Sequence, residues 1–472
     1  MDFDATGNAV RRLALIAGAS ITCLMGRASA APLDSQVGIA TDLSFIENQV
    51  TKTLKSLGSP ASNYPVSGGD TGTWTTTSPS SGSKGWTSGF FPGELWLLYQ
   101  ATGSHTWLTA AQNWTAPLAS QASSVTRVDP TDIGFIIGTS FGNGYRLTGE
   151  TSYKDVLITA GNSLASLYNA KVGAVRSWTF AQFQFPVIID SMMTLGPLQW
   201  GATNGGTPAW AVDASTHAKT VTANLVRSNG STYQLANFNP TTGAPASPEY
   251  YQTGGLSATS VWARGQAWAL YGFVQAYQTS DNPAFLKTAE GIANYFVGHL
   301  PKTTDIPPWD FDAPASPTPA VDTSAAAIAA DGLVMLSTVA GTSTLKTVYL
   351  QDAENILGSL SSSYLDRSSA SGESVLLDGY PGGLNAKNTA LIYSDYYFTE
   401  ALLRLQDVLD GKPGWLLYSP AVAVPLHSLA AAEPLHSPAI PEPSTWAMML
   451  VGFAGLGFAG YRGSRKTAAF AA

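Results

Sequence analysis

The feature that most restricts this chain is an amphipathic helix that keeps returning. Apolar residues fall at helical spacing in "GFFPGELWLLYQATG" (89–103), which ends in a Gly turn. "TDIGFIIGTSFGNGYRLTG" (131–149), "SYKDVLITAGNSLASLY" (152–168), "WARGQAWALYGFVQAYQTSD" (262–281) and "AFLKTAEGIANYFVGHL" (284–300) repeat the pattern. Segments 322–341, 346–365 and 388–411 continue it. Each runs for about 15–20 residues, and the gaps are rich in Gly, Pro, Ser and Thr. Strand-like alternation is scarce. The pattern predicts an all-α domain with long, aromatic-bearing connections. Helix pairs recurring every 50–60 residues or so suit a solenoid or a closed toroid.

A chain of 472 residues, 44% hydrophobic and 12% charged, has enough apolar material for one large core or two smaller ones. The net charge of −8 comes without a basic block, which argues against nucleic acid as a partner. Cys23 is the only cysteine, so no intramolecular disulfide framework exists. Within residues 38–412 there is no GxGxxG, P-loop or HExxH motif, and none of the chain's 5 histidines pairs closely with another, so neither metal nor organic cofactor is expected. No GxSxG follows a strand-like run, so a serine nucleophile elbow is not expected either.

Both ends read as addresses. Residues 1–30 combine "RR" at 11–12, the apolar "LALIAGASITCLM" and "ASA" at 28–30. That order describes a secretory signal cut after Ala30, and a buried core helix is the competing reading. At the other end, Pro441-Glu442-Pro443 is followed by an apolar run from Trp446 to Tyr461 and then by Arg462, Arg465 and Lys466. The run is slightly short for a spanning helix, which needs about 17–25 residues, and counting from Ser444 brings it into range. The basic cluster would stay cytoplasmic. The whole unit, 441–466, resembles the PEP-CTERM sorting signal. That resemblance implies a Gram-negative host, an exosortase-type processing protease, and export to the periplasm, cell surface or medium with transient or lasting inner-membrane attachment. Residues 413–440 read as a linker, which leaves 38–412 as the folded domain.

Two places in that domain carry candidate chemistry. In "FQFPVIIDSMMTL" (183–195) a single carboxylate, Asp190, stands among apolar residues without a basic neighbour in sequence. Burial raises a carboxyl pKa, and a raised pKa suits a general acid near neutral pH. A structural Asp held by backbone amides is the other reading. Asp132 opens a helix in "DPTDIGF", where an ordinary first-turn acid explains it equally. "SVWARGQAWAL" (260–270) sets Trp262, Arg264 and Trp268 close together in a charge-poor chain. Tryptophan faces stack on sugar rings, and arginine forks a carboxylate.

The ordered set "TSGFFPGELWLLY" (87–99), "TDIGF" (131–135), "RSW" (176–178), "IIDSMM" (188–193), "NGSTYQL" (229–235), "WARGQAW" (262–268), "PPWDFDAP" (307–314), "DTSAAAIAA" (322–330) and "YSDYYFTEALLRL" (393–405) resembles the unsaturated glucuronyl hydrolases, family 88 of the glycoside hydrolases. The resemblance covers about 38–410. It implies an (α/α)6 barrel. It also implies a hydrolase that releases a 4,5-unsaturated uronic acid from the non-reducing end of polysaccharide-lyase products. In the implied reaction an acid protonates C4 of the vinyl ether and water adds at C5. The hemiketal then opens, freeing the next sugar and a 4-deoxy-5-keto uronate.

The resemblance matches Asp190 to the acid/base and Asp132 to the second essential aspartate. Trp86, Trp178, Trp262 and Trp268 match aromatic walls of the sugar pocket, and Arg264 and Gln252 match polar substrate contacts. Two positions depart from the family pattern: Thr131 stands where His is common, and Gln234 stands where His follows "STY". Gln234 is therefore expected to touch substrate as a replacement. The related unsaturated rhamnogalacturonyl hydrolases usually read "RGNGW" in place of "RGQAW" and fit less well. A non-catalytic surface protein holding acidic glycans is the alternative of another class.

Overall fold

The computed structural model describes residues 30–418, apart from 61–62, 83, 127–128, 180–181, 246–253, 316–318, 368–369, 384–385, 413 and 416. The expected signal over 1–29, the unit at 441–466 and Gln252 lie outside the described residues.

The principal helices are α1 (Gln36–Leu57), α2 (Phe90–Thr102), α3 (His105–Thr115), α4 (Thr151–Ser166), α5 (Gly196–Asn204) and α6 (Ala209–Leu225). They continue with α7 (Ala263–Ser280), α8 (Pro283–Gly298), α9 (Thr323–Val339), α10 (Ser343–Ser363) and α11 (Ile392–Leu409). Side-chain caps fix several starts. Ser35, Ser104, Asn282 and Thr342 each accept an orphan backbone N–H at the head of α1, α3, α8 and α10. Between α3 and α4 the chain runs on through a 3-10 turn (Pro130–Asp132), an α segment (Ile133–Ile137), a π turn (Gly138–Gly142) and a last α segment (Asn143–Thr148).

Burial sorts these elements into two layers. Every residue from Thr323 to Ser337 of α9 and from Ile392 to Leu405 of α11 is buried, as are Ala263–Ala276 of α7 and 133–144 of the composite run. A helix buried all round belongs inside other helices. The inner elements close a ring. α2 packs on the 130–148 run, which packs on the 189–194 turn leading into α5. That turn packs on α7, α7 on α9, α9 on α11, and α11 back on α2. Helices α1, α3, α4, α6, α8 and α10 bury one face against this ring from outside. The architecture is the (α/α)6 toroid. The solenoid reading fails because the last inner helix packs on the first.

The helices missing from the periodicity reading are mostly outer ones: α1, α3, α5 and α6. In α3 and α6 the buried face rests largely on Ala and Trp in polar sequence, "HTWLTAAQNWT" and "AWAVDASTHAKTVTANL". Three small antiparallel hairpins also form: β1 (Tyr64–Gly68) with β2 (Trp74–Thr77), β3 (Tyr168–Asn169) with β4 (Ala174–Val175), and β5 (Pro186–Ile188) with β6 (Leu235–Asn237).

The packed chain also extends past both expected limits of 38 and 412. Leu33 donates its N–H to the Glu354 carbonyl at 2.9 Å, so the chain already docks on α10 before α1 begins. Beyond α11, the Trp415 ring lies between the Arg146 and Arg404 guanidiniums, at 3.8 and 3.9 Å. Leu417 and Tyr418 are buried as well. These residues complete the core, which their place in a Pro- and Ala-rich stretch did not disclose.

Candidate active site

The chain alternates between layers, so the inner elements run in the same direction and their N-terminal ends share one face of the toroid. Trp86 lies in the 3-10 turn Gly85–Gly89 that feeds α2, and Asp132 ends the turn before Ile133–Ile137. Asp190 opens the turn Ile189–Thr194. Arg264 is in the first turn of α7, Asp322 caps α9, and Tyr393 is in the first turn of α11. Helix N-termini carry partial positive charge, so this face favours an anion.

Close backbone approach brings the two aspartates onto neighbouring turns. A Cβ built on Gly134 would stand 2.4 Å from Thr194 Cβ, so only glycine lets the segment after Asp132 press onto the turn of Asp190. On the other side, a Cβ on Gly272 would meet Met192 at 2.5 Å, which seats the same turn against α7.

Hydrogen bonds then fix that turn. The Ile189 N–H donates to the Gln234 carbonyl at 2.8 Å, extending the β5–β6 pairing to the residue before Asp190. The Ser177 hydroxyl accepts the Ile188 N–H at 3.1 Å. Asp190 itself is partly buried, and its Oδ2 is fully buried without a hydrogen-bond partner. Burial pushes its carboxyl up to about 6, a backbone hydrogen bond and the Arg264 guanidinium pull the other way, and the Asp129 carboxyl pushes further up.

Arg264 is 4% exposed. Its Nη1 lies 3.1 Å from both Asp322 Oδ2 and Ser324 Oγ, and it also donates to the Tyr380 carbonyl. Nη2 reaches the Pro381 carbonyl at 3.3 Å. The guanidinium sits over the Trp262 and Tyr393 rings, 4.8 and 5.1 Å from their centroids. Much of the fork expected for a substrate carboxylate is therefore used inside the protein.

Asp322 is the residue that sequence reasoning passed over. One oxygen takes the Arg264 bond, and the other accepts from the Ser324 N–H and hydroxyl and from the Tyr380 N–H at 3.2 Å. The available signal was an Asp two residues before Ser at a helix start, a capping pattern. Tyr393 was also passed over. It lies tilted on Trp86 at 5.0 Å between ring centroids, and burial pushes its phenol up to about 12.

The other expected contacts divide. Half-buried Trp86 packs edge-on against Phe90 and Phe135 and stands beside Tyr393 in the mouth of this face. Trp262 is buried with an unpartnered Nε1 donor, next to Arg264. Trp178 clusters with Phe183, Ile188 and Leu235 beside the β5–β6 hairpin. Gln234 meets the Gly254 N–H through its Oε1 at 3.4 Å. Trp268 is a correction. It is 1% exposed and wedged against Phe135 and Tyr397 in the core, so it offers no open face for stacking on a sugar.

Residues 439–466 match the PEP-CTERM protein-sorting motif. An unsaturated glucuronyl hydrolase of Formosa agariphila is 36% identical over 338 residues, 69% of this chain and 81% of that protein. One from Bacillus sp. strain GL1 is 29% identical over 333 residues, 69% of this chain and 87% of the relative. An unsaturated chondroitin disaccharide hydrolase of Streptococcus pneumoniae is 28% identical over 324 residues, 68% of this chain and 81% of the relative. Among solved structures, an unsaturated glucuronyl hydrolase specific for heparin superposes with a TM-score of 0.73 at 34% identity, covering 79% of this chain and 98% of that one.

Proposed function

The chain belongs to the unsaturated glucuronyl hydrolases, glycoside hydrolases that release an unsaturated uronic acid from oligosaccharides, and on that premise we propose that Asp190 is its acid and base. The observation that carries this is the buried, unpartnered Oδ2 of a carboxyl held at about 6 on the face where the inner helices begin. A carboxyl near neutrality can give a proton to C4 of the vinyl ether and then take one from the water that adds at C5. The hemiketal opens and the two sugars separate.

Asp132, on the turn packed against that of Asp190, orients the uronate ring through a hydrogen bond. Arg264 supplies positive charge for the uronate carboxylate, with the part of its guanidinium that Asp322 and the Tyr380 carbonyl leave free. The helix N-termini on this face add to that preference for an anion. Trp86 and Trp262 provide apolar wall, and Gln234 and Gln252 provide polar contacts beyond the uronate.

Incubating the protein with the unsaturated oligosaccharides that lyases release from chondroitin, heparin, gellan, xanthan and pectin tests this reading. Loss of the absorbance of the C4=C5 double bond is expected with at least one of them, slowed by roughly 10²–10⁴-fold in Asp190→Asn. Full turnover by Asp190→Asn removes the assignment. Strong turnover confined to pectin-derived rhamnogalacturonyl substrates would favour that related activity.

The ends fit an exported hydrolase. Among the described residues, which begin at Ala30, Leu33 is buried and donates its N–H to the Glu354 carbonyl. The matched sorting motif supports processing by an exosortase-type protease. No helix among the described residues is long and apolar enough to cross a membrane, and the apolar run 446–461 lies outside them.

A further inference from the structure

His217, on the outer helix α6, is fully buried and reaches the residue next to Asp190. Its Nδ1 lies 3.0 Å from the Val175 amide nitrogen, and its Nε2 lies 2.8 Å from Ser191 Oγ. An amide N–H can only donate, so Nδ1 must be the acceptor. In a neutral ring the proton then sits on Nε2 and is donated to Ser191 Oγ. The Ser191 hydroxyl donates its own hydrogen bond to the Ile188 carbonyl. Every donor in this chain meets an acceptor, and no proton is left over. A second ring proton would face the Val175 N–H, and burial pushes the imidazole down to about 3, so the ring stays neutral where Asp190 titrates.

We infer that His217 is a positioning residue for the reaction: through Ser191 it holds the Asp190 turn between the β4 edge and the inner ring. It touches no reacting atom. The carboxyl it orients faces Arg264 from α7, Asp129 beside the 130–132 turn and the Tyr393 phenol from α11, with Asp132 on the turn packed against it. A small rotation of the 189–194 turn therefore changes both the reach and the electrostatic surroundings of the acid. The inference rests on Asp190 being the catalytic acid.

The test uses Ser191→Ala, His217→Asn and His217→Gln in the full folded domain, with circular dichroism fixing the folded fraction. Asn keeps an acceptor for Val175 but loses the donor to Ser191. Gln places an N–H near the Nε2 position. Ser191→Ala and His217→Asn should lower kcat per folded molecule by roughly 10- to 100-fold with KM within about twofold, because a misplaced acid harms chemistry more than binding. His217→Gln should recover at least part of that loss. Wild-type kcat in Ser191→Ala, a loss expressed only in KM, or no recovery by Gln overturns the inference. Asp190→Asn is the control: if it turns over normally, the catalytic assignment has failed instead.

Discussion

Asp190 carries two opposed consequences of one environment. Its carboxyl must be protonated to start the reaction, and burial sets the midpoint at about 6. kcat/KM should therefore fall about tenfold per pH unit above about 6. A profile flat from pH 5 to 8 would separate Asp190 from the chemistry. Asp190→Asn should lower kcat by roughly 10²–10⁴-fold. The same variant should fold more stably at neutral pH. The folded carboxyl is raised from 3.8 to about 6, so its favourable contribution is complete below about 3.8 and is lost as pH rises through about 6. Asparagine never ionises, so the gain over wild type at pH 8 is at most about 3 kcal/mol. Thermal unfolding at pH 3.5 should show no such gain. The sequence already exposed this residue, because a lone acid inside "VIIDSMM" has few ordinary explanations. It could not expose Tyr393 or Asp129, whose influence on Asp190 depends on distant segments meeting.

Among the elements, α9 begins where the site needs an anchor. Asp322 caps α9 and binds Arg264 at 3.1 Å, and the pair is buried. Removing one member leaves the other charged and unpaired, so Arg264→Ala and Asp322→Ala should each cost about 3–5 kcal/mol. Because both remove one interaction, the double variant should be less damaged than the sum by about 0.5–3 kcal/mol. Chemical denaturation of the four proteins measures it, and additive losses would mean the two act independently. "WARGQAW" thus splits in a way that spacing alone did not reveal. Arg264 faces the site, while Gln266 turns outward to the Gly230 and Ile292 carbonyls and the Thr232 hydroxyl. The inner helices were readable because they are apolar over most of their length. The outer helices α3 and α6 were not, since a stripe of Ala, Thr and Trp in polar surroundings gives a weak period.

At the scale of the whole molecule, the toroid gathers the heads of its inner helices on one face, and the C-terminal segment finishes the packing behind α11. The sorting motif begins at 439, and Tyr418 is the last of the described residues. Tyr418 is 2% exposed and fills the space over Gly138, Gly142 and Gly196, where any Cβ would stand within 3 Å of its ring or hydroxyl. Trp415 separates Arg146 from Arg404, whose charges otherwise repel in a buried site. A protein ending at Tyr418 keeps all of this and should unfold like the longer chain. A protein ending at Lys412 loses Leu417 and Tyr418, each worth about 1.5–3 kcal/mol when fully buried, and brings the two arginines face to face. It should be destabilised by at least about 3–6 kcal/mol, with kcat per folded molecule kept, because Arg404 packs on Tyr271 and Asp331, about two turns along α7 and α9 from Arg264 and Asp322. Equal melting temperatures for the two truncations would place the domain boundary back at 412. Processing of the native tail is consistent with the longer domain only if cleavage falls beyond Tyr418. Mass spectrometry of the mature protein from its host should then find a start at Ala31 and an end near 441–443.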